Sequence, residues 1–158
     1  MSLAITKLVS PALHPVRPPA EEALSVFVVF TSIPSTLAAL QQAGTMAKSL
    51  GAHIKLLVPQ VVPYPLPLNS PPCPLESSEK RFRVLAGQCP IRASVHIYLC
   101  RDSAAMLNSV LAPGSIVVLG GKVRPFWPTR EQKLARQLRK AGMEVLLVDP
   151  PTPAGAHA

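Results

Sequence analysis

Acidic residues are scarce in this chain of 158 residues: eight Asp and Glu stand against sixteen Lys and Arg, for a formal net charge of +8. The only two aspartates are Asp102 and Asp149, and neither sits where a receiver domain needs its paired acids. Cysteine is also thin. Cys73, Cys89 and Cys100 are odd in number and lack metal-type spacing, which excludes a disulfide framework and points to a reduced, intracellular chain with cysteines used as small hydrophobes. His14, His53, His96 and His157 lie far apart without partners, so no metal site is expected. Four Phe, two Tyr and one Trp are scattered, which argues against a stacking platform for single-stranded nucleic acid, although the positive charge raises a polyanion as a partner.

Long apolar runs are missing too. The first twenty residues hold Lys7, Arg17 and four prolines but no secretory core, and no later stretch reaches membrane-spanning length, so a cytoplasmic protein is expected. Three catalytic patterns are absent: G-x-x-x-x-G-K-[ST], G-x-G-x-x-G and G-x-S-x-G. Nothing marks the chain as an enzyme. Its length fits a single domain that buries roughly 70% of the surface its unfolded form exposes.

What is present centres on Ser115 to Asp149, SIVVLGGKVRPFWPTREQKLARQLRKAGMEVLLVD. The apolar run Ile116 to Leu119 ends in Gly120 and Gly121, a basic loop and a helix follow, and the run closing at Val148 ends the unit. Runs without polar alternation suit strands buried on both faces, and a helix between them makes a parallel crossover. Thr129 and Gln132 have capping-box spacing; Leu134, Leu138 and Ala141 form an expected buried stripe, and Gly142 suits the position past the helix end.

Upstream, residues 1 to 22 read as a Pro-rich flexible leader, the domain spans 23 to 150, and 151 to 158 form a tail. Ser25 to Phe30 is a first central strand. A helix then starts near Pro34, carries Leu37, Leu40, Ala43, Ala47 and Leu50 at helical spacing, and shows a polar face of Thr36, Gln41, Gln42 and Thr45. His53 to Val58 is the second strand. Pro59 to Pro74 holds seven prolines in sixteen residues, a segment expected to stay out of any sheet and readable as a flap, a docking site for a proline-reading module, or an irregular loop. Ser77 or Ser78 caps a basic helix with Phe82 and Leu85 inward. Val95, Ile97 and Leu99 alternate with polar neighbours, predicting an edge strand with one covered face and an exposed His96. Asp102 caps a helix bearing Met106, Leu107, Val110 and Leu111. The sum is a doubly wound α/β sandwich of five parallel strands.

Three stretches resemble the universal stress protein superfamily, across about Leu24 to Asp149: SVFVVFTS with LAALQQAGTMAKSLGAHIKLLV, LCRDSAAMLNSV with SIVVLGGK, and KLARQLRKAGMEVLLVD. The resemblance implies a flavodoxin-like or adenine-nucleotide-hydrolase-like fold. In nucleotide-binding members, ATP lies between an acidic residue after the first strand, the end of the second strand and a G-x2-G-x9-G-[ST] loop. It therefore implies contacts to ATP or AMP at Thr31, Ser32, Val58, Gly120 and Gly121. Here Phe30 or Thr31 takes the acidic position, and no glycine follows Gly121 until Gly142. The intervening loop, KVRPFWPTREQ, still places Lys122, Arg124 and Arg130 near a helix start that favours an anion, with Thr129 set either to cap the helix or to contact phosphate. Trp127 is expected to pack this loop onto the sheet.

In the family the last strand often pairs with its own copy, which implies a homodimer through Met143, Val145 and Leu147. Charge, loop and resemblance together fit three functions. The first is a noncatalytic dimerising module that binds partners or a small anion, and the second an adenine-nucleotide sensor with an altered loop. The third is a polyanion binder using Lys80, Arg81 and Arg83 together with Lys133, Arg136, Arg139 and Lys140.

Overall fold

The computed structural model describes residues 24–72 and 74–151. The leader over 1–22, Cys73, His14, His157 and the tail past residue 151 lie outside the described residues. Nine elements alternate: β1 (Ser25–Val29), α1 (Ile33–Leu50), β2 (His53–Val61), α2 (Leu75–Gly87), β3 (Ala93–Cys100), α3 (Ser103–Val110), β4 (Ile116–Gly120), α4 (Arg130–Lys140) and β5 (Glu144–Val148). All strand pairs are parallel, in the order β3-β2-β1-β4-β5.

The chain steps outward from β1 in one direction through β2 to β3 and in the other through β4 to β5. With right-handed crossovers, that reversal puts α1 and α2 on one face of the sheet and α3 and α4 on the other. The packing follows the strand alternation. Val28, Leu56, Val58 and Ile97 meet Ala39, Leu40, Phe82 and Leu85 on the first face. On the second, Val29, Leu57, Leu119 and Cys100 meet Met106, Leu107, Ala135 and Leu138. The switch point between β1 and β4 opens a crevice beyond their carboxyl ends, where ligands of such sheets bind.

Several local readings hold. Gly51 ends α1 in the left-handed region at φ 63°, where a side chain would be strained. Asp102 Oδ1 accepts from Ala105 N at 2.9 Å and caps α3. The capping box on α4 is complete: Thr129 Oγ1 accepts from Gln132 N, and Gln132 Oε1 accepts from Thr129 N. β3 and β5 are the two edge strands.

Others are corrected. β2 runs three residues further than expected, with Pro59 paired to Tyr98. Odd residues of β2 turn their backbone groups toward β1 and even ones toward β3, as Phe30 N to Leu57 O and Val62 N to Cys100 O show. β1 has ended at Val29, so the N–H that Pro59 lacks would have met no strand. α2 begins at Leu75 with Pro74 before it, which places Ser77 and Ser78 inside its first turns and leaves neither as the cap. Leu50 is exposed despite its helical spacing, whereas Thr36 of the polar face, a face that suggests partial cover, is indeed buried, its Oγ1 accepting from Thr31 N where α1 meets β1. Ala141 is exposed as the C-terminal cap of α4, and Ala135 takes its place in the buried stripe. The basic residues of α2 and α4 lie on opposite faces of the sandwich, so Lys80, Arg81 and Arg83 do not join Lys133, Arg136, Arg139 and Lys140 in one polyanion surface.

β3 is covered on both faces, because α3 packs across the side that alternation left open: Tyr98 and Cys100 join Met106 and Leu107. His96, on that same side of β3, is only 7% exposed, and its Nε2 lies 3.0 Å from Ser94 Oγ. Burial, and then the nearby Lys55 ammonium, hold its imidazole below the ordinary 6.5. The folded state thus favours the neutral ring. Its contribution to stability is complete above 6.5 and is lost as pH falls toward the lower folded value. The expected result is a melting temperature that drops between about pH 7 and about pH 5 by more in the wild type than in His96→Gln. Equal slopes would remove His96 from the account. Cys89 and Cys100 are free thiols, both pushed up by burial, consistent with use as packing residues.

Candidate functional site

The crevice forms where β1 and β4 end side by side. β1 passes into α1 through Phe30, Thr31 and Ser32, and β4 passes through Gly120 and Gly121 into the loop before α4. Thr31 Oγ1 donates to Gly120 O at 2.8 Å, which ties the two strand ends together and commits the hydroxyl. Phe30, one of the two residues at the expected acidic position, turns toward α2 instead, its ring edge-on to Phe82 with centroids 4.8 Å apart.

Gly120 is required by packing. A Cβ there would overlap the Ser35 carbonyl in the first turn of α1. Gly121 is different: a Cβ would stand 2.6 Å from Cγ of Glu131, so the acidic side chain lies directly over the glycine. The Gly121 N–H is also spent, donating to Val148 O at 2.9 Å.

The loop from Lys122 to Thr129 folds onto the start of α4. Gln132 Oε1 accepts from Arg124 N at 3.0 Å and from Thr129 N at 2.9 Å, and its Nε2 donates to Arg124 O at 3.2 Å. Thr129 Oγ1 donates to Lys122 O at 3.0 Å. Pro125 and Pro128 have no N–H to offer. A phosphate arriving here would find the N–H groups of Gly121, Arg124 and Thr129 already bonded and a carboxylate in the approach. Trp127 does not pack the loop onto the sheet: it is 82% exposed and Phe126 86%, because Gln132 performs the bracing.

Two depressions flank Glu131. The larger, about 710 Å³, is lined by Thr31 after β1, Pro59 and Val61 of β2, Arg101 and Asp102 before α3, and Arg130 and Lys133 of α4. The smaller, about 330 Å³, gathers Ser32, Gly121, Lys122, Arg124 and Thr129 with Pro150. The expected contact residues are thus divided, with Thr31 and Arg130 on one side and the loop residues on the other. Val58 joins neither: it is 2% exposed and part of the α1–α2 core, and Pro59 and Val61 stand in its place.

Arg101 was not singled out from sequence. Its Nη1 donates to Val62 O and its Nη2 to Leu66 O, both at 2.7 Å, and its guanidinium lies 4.1 Å from the Tyr64 ring centroid. One side chain therefore pins the start of the proline-rich segment at the rim of the larger cleft. The signal available in sequence was a cation at a strand end, just before a capping aspartate, and that is too common to read. Among the described residues no group of His, Cys, Asp and Glu is placed to hold a metal, and no helix is long and apolar enough to cross a membrane.

At the far edge, β5 turns its odd-numbered backbone groups outward, since Glu144 N donates to Ser115 O and Val148 O accepts from Gly121 N on the β4 side. Val145 and Leu147 thus present backbone to the free edge, while their side chains pack inward on the α3–α4 core. Met143 is 5% exposed in that core and offers no side chain to a partner; Leu146, 39% exposed, does. Arg139 Nη2 already donates to Val145 O at 2.9 Å.

This layering and strand order define a doubly wound α/β sandwich, a fold the chain shares with universal stress proteins. The chain is similar in structure to a universal stress protein from Archaeoglobus fulgidus, with TM-score 0.54 and 11% identity over 79% of this chain and 93% of that one. It is also similar to the universal stress protein from Archaeoglobus fulgidus in complex with dAMP, with TM-score 0.52 and 12% identity over 80% and 97%. No protein-family model and no curated protein matches the sequence.

Proposed function

We propose that this chain is a noncatalytic regulatory module of universal stress protein type, which dimerises along β5 and acts by association instead of nucleotide turnover. One observation carries the reading: at the β4–α4 loop, the N–H groups of Gly121, Arg124 and Thr129 are bonded within the chain, and Glu131 covers Gly121. The free edge of β5 supplies the association surface, with Val145 and Leu147 giving backbone and Leu146 an apolar side chain. Arg139 already donates to Val145 O, so a partner strand would share or displace that bond.

Sedimentation equilibrium at micromolar concentration, with phosphate release from Mg-ATP assayed on the same sample, tests both parts. The reading expects dimer mass and no release above buffer. A monomer removes the β5 interface, and release abolished by Lys122→Ala with Arg124→Ala removes the noncatalytic assignment.

A second reading, an adenine-nucleotide sensor, is favoured by the 710 Å³ cleft with Arg101, Arg130 and Lys133 on its walls and by the dAMP complex of a similar structure. A base and ribose fit such a volume. Its phosphate would meet side-chain cations in place of a glycine loop, so it expects AMP to bind at least as well as ATP.

A further inference from the structure

The loop between β4 and α4 holds two aromatic rings in water without being loose. Phe126 and Trp127 are almost fully exposed, with Val123 beside them. Yet Gln132 grips Arg124 through both its N–H and its C=O, and Thr129 grips Lys122. Pro125 and Pro128 bracket the rings and stiffen the tip further. A slack loop would fold such rings back onto the protein; this one is braced so that they stand out. Exposed apolar groups held in place mark a recognition surface. Lys122, Arg124 and Arg130 are exposed at the base of the tip, while Glu131 is folded against Gly121.

We propose that this loop docks the protein on an anionic phospholipid surface, Phe126 and Trp127 entering the headgroup region while Lys122, Arg124 and Arg130 meet the lipid anions. Charge complementarity and shape favour this occupant. A stable protein interface buries about 800 Å² on each partner, and a convex tip of two rings between prolines offers far less. A nucleic acid would use ring faces over a basic groove, whereas the tip's other side chains, Val123, Pro125 and Pro128, offer a base little and leave water readily in a bilayer. Tryptophan is at home at the headgroup level, and each basic side chain near an anionic membrane raises partitioning about fivefold.

Trp127 is the only tryptophan in the chain, so its emission reports the docking directly. The full chain is mixed with phosphatidylcholine vesicles with and without phosphatidylserine. The expected result is a blue shift and co-sedimentation with the anionic vesicles only, reversed by high salt. Lys122→Ala with Arg124→Ala should lower partitioning by about twenty-five-fold, and Phe126→Ser should lower it while leaving the melting temperature unchanged. Unmoved emission with both vesicles overturns the proposal, as does an undiminished double variant. A shift produced by an oligonucleotide and not by vesicles also overturns it, and assigns the tip to nucleic acid.

Discussion

Gly120→Ala is expected to destabilise the fold by about 3 kcal/mol or more, among the largest effects of any single methyl added to this chain. The new Cβ would meet the Ser35 carbonyl, which belongs to the first turn of α1 and cannot rotate away. Relief requires α1 to lift from β4, and α1 also buries Ala39, Leu40 and Ala43 in the core. The Thr31 bond to Gly120 O would be strained by the same movement. For a domain of this length the loss corresponds to a fall in melting temperature of roughly 6 to 12 °C. Gly87→Ala is the control, because a Cβ there meets nothing and stability should stay within about 1 kcal/mol of wild type. Similar melting temperatures for the two variants would contradict the packing described at the crevice.

Arg101→Ala is expected to cost about 2 to 3 kcal/mol, from two charge-assisted hydrogen bonds to carbonyls and the contact with Tyr64. Val62 is fully buried, so its carbonyl would lose a partner in a place water reaches poorly. The second consequence is local. With its clamp gone, the stretch from Pro63 to Pro72 should become the first site of limited proteolysis. Arg101→Lys discriminates, since one ammonium cannot reproduce the two-pronged grip and should recover only part of the loss. Unchanged proteolysis in Arg101→Ala would mean that the segment is held by its own turns.

Much of the architecture was legible because it is written in local chemistry. Unbroken apolar runs reported strands covered on both sides, which holds for β1 and β4; the run that became β5 lies at the sheet edge instead, with Glu144 and Leu146 exposed. Thr129 with Gln132, Asp102 and Gly51 marked helix ends through short-range bonds that a sequence displays. Failures arose where a residue's setting is decided by distant chain. Alternation in β3 records which side chains are polar, not what covers them; α3 packs on Tyr98 and Cys100, and His96 on the same side is buried too. Pro59 looked incompatible with a strand until the early end of β1 left its N–H side without a neighbour, while β3 pairs on the other side.

The candidate site divides along the same line. Gly120, Gly121 and the basic loop could be placed from sequence, but not what fills the space around them. Glu131 carried no signal in sequence, and only the close approach of α4, in whose first turn it lies, lays it over Gly121. Trp127 reads as a packing residue, and only the double grip of Gln132 on Arg124 makes packing unnecessary.

The proposed inability of the β4–α4 loop to seat phosphates is tested most directly by the melting temperature of the wild-type protein with ATP, AMP and inorganic phosphate in turn, each at millimolar concentration. A ligand present at about a hundred times its dissociation constant would stabilise the fold by roughly 2.7 kcal/mol. For this domain that is a shift of roughly 5 to 11 °C. The account predicts no such shift with ATP, because Glu131 lies over Gly121 and the N–H groups of Gly121, Arg124 and Thr129 are already bonded. A full shift with ATP that exceeds the shift with AMP would contradict it, since that order requires the loop to open and receive the β- and γ-phosphates.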